Sequence, residues 1–144
     1  MLDQFTFLLA VAGYAGLAAM VAIGRQPGAA VLRRVTAAAI VTHVVLVWGA
    51  RYGWSLAAAT RNGYAGFLIF HAALVLIITS LFVRDTRANL FSRVAFAIVT
   101  VGAIGAVFRY DVVAMHRIPV ILIAIFGVGA GVRTYRSTPA YKAS

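Results

Sequence analysis

His43 and His71 are the residues of this sequence best suited to hold a metal-bearing group. Each sits mid-way along an apolar run, and the two lie at nearly equal distances from the link near residue 58 that joins the runs. At a rise of about 1.5 Å per residue, two membrane-crossing helices there would bring both imidazoles to depths agreeing within roughly 3 Å. A b-type haem held between helices uses this arrangement: one nitrogen of each ring ligates iron, and the other bonds a group that fixes the tautomer. Ala38, Ala39, Gly49 and Ala50 on the first run, with Gly66, Ala72 and Ala73 on the second, leave room for a flat macrocycle. Arg51 and Arg61, with Arg109 and Arg117 at the same end, offer guanidinium groups to the propionates. The expected cofactor is therefore haem b, with His43 and His71 as iron ligands and Arg51 and Arg61 as propionate partners.

Two other readings use the same residues. A histidine inside a membrane helix can simply tie neighbours together, a bond worth about 0.6 to 2 kcal/mol, and Thr36, Thr42, Thr79, Ser80 and Thr100 are within the same runs. Alternatively, one histidine serves one pigment: Ala39 stands one turn before His43, and Ala-x-x-x-His resembles the bacteriochlorophyll-binding pattern of light-harvesting polypeptides. His116 differs, lying five residues after Asp111 in a polar stretch with Tyr110. Those residue types suit proton transfer or a quinone headgroup, so a quinone is carried as a further partner.

Other chemistries lack their residues. The 144 residues include no cysteine, so disulfides, thiolate metal sites and covalently attached haem cannot come from this sequence. The acidic residues are Asp3, Asp85 and Asp111, all flanking the apolar runs. No carboxylate pair, Ser/His/Asp set or Gly-rich phosphate loop is present, which disfavours a hydrolase, ion pumping and secondary transport. An electron-transfer or non-catalytic subunit is expected rather than an enzyme acting alone.

The elements that must position these groups follow from composition. The sequence is 63% hydrophobic and 11% charged, against a quarter charged in ordinary soluble domains, so it reads as an integral membrane protein. Its net charge of +10 comes from twelve arginines and Lys142, scattered singly or in pairs between apolar runs. That scatter points to lipid phosphates and excludes a nucleic-acid face. Stretches free of charge run 4–24, 35–50, 62–83, 94–108 and 118–132; a crossing helix needs about 20 residues, and arginine stems can snorkel to lengthen the short ones. The expected fold is all-α, a polytopic bundle of about five spans at 4–24, 34–54, 62–83, 89–108 and 112–132, forming one domain with a short tail at 133–144. Pro119 leaves the start of the fifth span open, either at the proline with 109–117 as an interfacial loop, or near Asp111 as an N-cap.

Alternate links carry nine positive residues on one side, among them Arg25, Arg33, Arg34, Arg84, Arg87, Arg93 and Arg133, and four on the other. The positive-inside rule then puts the N-terminus out and the C-terminus in. Tyr52, Trp54, Phe108 and Tyr110 fall at the outer interface, where amphipathic rings settle. Residues 1–24 lack the positive start of a signal peptide and carry Asp3 there, so they read as a span. A cell membrane of the prokaryotic inner-membrane kind is the expected location.

Small residues spaced by four, Ala12 and Gly16, Ala15 and Ala19, Gly102 and Ala106, Gly127 and Gly131, let helices approach closely, either within the bundle or against other membrane subunits. The general likeness is to small b-type cytochrome bundles and to accessory subunits of respiratory or photosynthetic complexes, and no motif names a family. The sequence thus predicts a small subunit of a redox complex; a cofactor-free accessory or assembly subunit, and a bacteriochlorophyll-binding subunit, are the alternatives.

Overall fold

A computed structural model describes residues 2–61 and 63–137. Helices α1 (Leu2–Ile23), α2 (Ala29–Leu46), α3 (Leu56–Ala59), α4 (Tyr64–Ser80), α5 (Asp85–Arg109) and α6 (Arg117–Ser137) follow in order, with no strand among the described residues. A π-helical turn at Val47–Arg51 extends α2, and a 3-10 turn at Asp111–His116 leads into α6. Four segments, Gln4–Ile23, Ala29–Arg51, Asp85–Arg109 and Val113–Tyr135, are long and apolar enough to cross a membrane. The run expected at 62–83 forms α4, an apolar helix of 17 residues. At about 25 Å of rise it sits at the short end of a crossing helix. The expected helical membrane bundle is present.

Local chemistry explains the boundaries. α5 begins at Asp85, earlier than the expected residue 89, because a carboxylate in the first turn suits the positive end of the helix dipole. Pro119 is the third residue of α6, inside the first turn where its missing N–H has no helical partner to lose. Of the 109–117 stretch, Arg109 closes α5, Asp111–His116 is wound as a 3-10 turn, and Arg117 opens α6 directly after it. The link expected at 55–62 holds α3, capped by Ser55, whose hydroxyl accepts from the Ala58 N–H at 3.3 Å. The expected tail at 133–144 begins as helix, and its remainder, 138–144 with Lys142, lies outside the described residues.

α1 is the hub, packing on α2, α5 and α6, while α4 packs chiefly on α5. Its Tyr14, Leu17, Ala18, Met20 and Val21 form the largest share of the buried cluster, joined by Ala37, Ala73, Ile77, Ala95, Phe96, Val120 and Ala124. Tyr14 stacks on Phe96 with ring centroids 5.6 Å apart, and its hydroxyl bonds the Thr100 hydroxyl at 2.8 Å. Expected small-residue positions close within the chain: Gly16 meets Thr36 across α1 and α2, Gly102 meets Ile69 and Phe70 across α5 and α4, and Gly127 meets the Phe96 ring across α6 and α5. A Cβ at any of these positions would sit inside van der Waals contact of its neighbour.

At the basic end, Arg33 ties α2 to α4. Its side chain is 9% exposed, donates to the Ser80 carbonyl at 3.5 Å and lies 3.6 Å from the Asp85 carboxylate. Ser80 closes α4, where carbonyls lack helical partners and the dipole is negative, so a guanidinium there answers both. The sequence placed Arg33 among the positive residues of the link before the second span, with lipid phosphates as partners; its burial is the difference, and the neighbouring α4 terminus is the reason.

Candidate functional site

α2 and α4 meet mainly at two places, the Arg33 contact and an aromatic group at the opposite end. There the Trp48 indole N–H donates to His71 Nε2 at 3.2 Å, and His71 Nδ1 bonds the Phe67 carbonyl at 2.8 Å. An indole N–H can only donate and a carbonyl can only accept. His71 is therefore the neutral tautomer with its proton on Nδ1 and its lone pair on Nε2, aimed at α2. Phe67, one turn before His71, stacks on the imidazole with centroids 3.9 Å apart, and Trp48 stands edge-on to it at 5.9 Å.

The end of α2 is built to present Trp48. The π turn gives Tyr52 N–H to Val47 O at 3.2 Å, and the chain then reverses so that Trp54 N–H reaches Trp48 O at 2.9 Å. Gly53 and Trp54 both adopt left-handed backbone, with φ of 54° and 62°. This conformation is natural for glycine and costly for tryptophan. The reversal lays the Trp54 ring against Trp48, centroids 6.5 Å apart, and against Gly49.

His43 points elsewhere. Its Nδ1 bonds the Thr6 carbonyl of α1 at 2.7 Å, which again places the proton on Nδ1 and the lone pair on Nε2. His71 meets α2 at Trp48, five residues and about 7 Å of rise beyond His43. Among the described residues, the hydrogen bonds and ring contacts of the two histidines do not join them. Their partners are main-chain carbonyls and an indole, not the hydroxyls of Thr36, Thr42, Thr79, Ser80 or Thr100. Thr79, Ser80 and Thr100 instead bond carbonyls three or four residues back on their own helices.

Arg51 ends the π turn and Arg61 lies in the following link, both exposed at the same end as His71. Arg109 lies over the Tyr110 ring at 5.6 Å, while Arg117 lies over Phe108 at 5.6 Å and donates from Nε to the Val107 carbonyl at 2.8 Å. His116 stacks on Phe7 with centroids 3.7 Å apart, and Asp111 is exposed. Among the described residues no three of His, Asp and Glu gather as a metal cluster. The sequence reading missed Thr6, Trp48 and Phe67. Of these only Phe67, one turn before a histidine, carried a signal in its spacing.

Fold and composition together define an all-helical membrane bundle. Comparison with protein-family models, curated proteins and solved structures returns no match to this chain.

Proposed function

We propose that the chain is a small membrane-embedded subunit of a redox assembly, binding a b-type haem through histidine with its N-terminus outside and its C-terminus inside. One observation supports the reading: His43 and His71 both donate Nδ1–H to a main-chain carbonyl, which puts the ring lone pair on Nε2, the tautomer an iron ligand needs. A haem supplies one-electron exchange when bound. The chain's part would be to hold the two imidazoles in that tautomer and to place Arg51 and Arg61 where propionates emerge.

A second reading rests on a different bond. Trp48 N–H occupies the His71 lone pair, which suits a cofactor-free accessory subunit whose histidines lock helices together. Under the haem reading Trp48 must turn aside. The visible spectrum of the purified chain, reduced with dithionite, decides between them. A reduced alpha band that is lost in His43→Ala and His71→Ala, and kept in Trp48→Phe, supports haem. A colourless full-length chain, and equally colourless Trp48→Phe after reconstitution with haemin, rejects it.

A further inference from the structure

The guanidinium buried at the basic end is answered only in part. Arg33 is 7% exposed, a depth at which a cation is costly unless its charge and its N–H groups are matched. Its bond to the Ser80 carbonyl and its approach to the Asp85 carboxylate both use Nη1, at 3.5 and 3.6 Å. Charge-assisted bonds settle at about 2.7 to 2.9 Å, so both contacts are slack. Among the described residues, Nη2 and Nε donate to no group. Asp85 is also the one acidic side chain of this end among the described residues, since Asp3 stands in the first turn of α1 and Asp111 just past α5. Its own side chain is 80% exposed, which weakens the pair further.

Arg33 and Asp85 line a cavity of about 340 Å³, completed by the link between α1 and α2, with Arg25 on it, and by the first turn of α2. In that link Gly24 and Gly28 hold left-handed φ of 58° and 90°. A Cβ at Gly28 would meet nothing within 4 Å, so the backbone there is open to close approach. Beyond it, Ala29 N–H bonds the Gln26 carbonyl at 3.1 Å and Leu32 N–H bonds the Gly28 carbonyl at 3.0 Å. The Ala30 and Val31 N–H groups between them have no backbone acceptor and no capping side chain among the described residues.

We propose that this cavity binds an anionic phosphate group, with Arg33 as the buried donor, Arg25 as the exposed one and the Ala30 N–H as a main-chain donor. The cavity lies where α1 ends, α4 closes, and α2 and α5 begin, which is headgroup depth in a bundle that spans a membrane. A phospholipid headgroup reaches it from the lipid side and free phosphate from water, and both offer the same oxygens to the planar guanidinium fork. Arg25 and Arg33 outweigh Asp85 by one positive charge, and Arg34 and Arg84 adjoin the lining residues in the chain. Asp85 is the competitor for Arg33, and its exposed carboxylate can turn to water when phosphate takes its place. None of the residues of the haem reading takes part, so the inference does not rest on it.

Calorimetric titration of the full chain in dodecyl maltoside micelles tests the site, with dihexanoyl phosphatidylglycerol as one probe and inorganic phosphate as the other, and circular dichroism as the control on folding. Phosphatidylglycerol should bind saturably, one per chain. If inorganic phosphate displaces it, the phosphate group alone suffices for the site; if it does not, the lipid is the ligand that the site holds by its headgroup. Arg33→Lys keeps the charge but loses the fork, and should weaken binding about tenfold or more. Arg25→Gln, at an exposed position, should weaken it about threefold, and decides if Arg33→Lys fails to fold. Asp85→Asn removes the competitor and should tighten binding, whereas Asp111→Asn makes the same charge change past α5 and should not. No saturable binding of either probe, native affinity in folded Arg33→Lys and in Arg25→Gln, or an equal gain from Asp85→Asn and Asp111→Asn overturns the site.

Discussion

Replacing Gly127 with alanine tests whether close approach between helices, rather than helix preference, sets the stability of this bundle. A Cβ at Gly127 would stand 2.9 Å from Phe96 Cε1 and 2.7 Å from Cε2, and would also press on Cζ. Carbon atoms settle at about 3.5 to 4.0 Å, so the ring would have to retreat by roughly 0.7 Å or more. Phe96 is 5% exposed and stacked on Tyr14, itself 4% exposed, so the ring has little space to take up. Overpacking of this kind costs about 1 to 3 kcal/mol. Alanine in place of glycine returns about 1 kcal/mol of helix preference. The net expectation for Gly127→Ala is destabilisation of about 0 to 2 kcal/mol. Phe96→Leu removes the three offending ring atoms, and in that background the same change should stabilise by up to about 1 kcal/mol. The sign should therefore reverse between backgrounds, with a coupling of about 1 to 3 kcal/mol. Reversible unfolding by SDS in mixed micelles, followed by circular dichroism, measures all four chains. An equal effect in both backgrounds, or stabilisation of the native chain, would refute the contact as the controlling term.

Two further perturbations separate effects that look alike. Arg33→Ala should lower stability by about 1 to 3 kcal/mol by leaving the Ser80 carbonyl without its charged donor, whereas Asp85→Asn should change it by no more than about 0.5 kcal/mol. The reason is that the Asp85 side chain is 80% exposed, and the same SDS titration checks both. Trp54→Gly and Trp54→Ala both lose the stack on Trp48, but only glycine accepts a φ of 62° without strain. The glycine variant should be the more stable by about 1 kcal/mol in thermal unfolding, and equal midpoints would argue against strain at this residue.

The bundle was legible in the sequence because water-to-lipid transfer acts on whole runs, and five charge-free runs cannot be hidden. Interior detail was less so. Gly16 and Gly127 announced close approach but not their partners, since spacing on one helix says nothing about which neighbour it faces. His43 and His71 could be placed by counting along the chain, yet their bonding depended on rotation about each helix axis. The π turn at Val47–Arg51 has no marker of its own in the residue pattern, so Trp48 was not expected at His71. Arg33 read as a link cation because the second span was expected to start at 34, whereas α2 starts at Ala29; the α4 carbonyl it covers is 47 residues away.

The central position of α1 bears on how the chain is assembled in the membrane. It is synthesised before the helices it packs on, and α2 reaches it at once through a short connection. The Tyr14 hydroxyl, however, meets its partner at Thr100 only after 86 further residues have been made. Until α5 arrives, that hydroxyl faces lipid or finds a passing acceptor. Closure of the Tyr14–Thr100 bond thus marks the moment at which an early hairpin and a late one become a single body, and chains halted before residue 100 would carry an unfinished first helix.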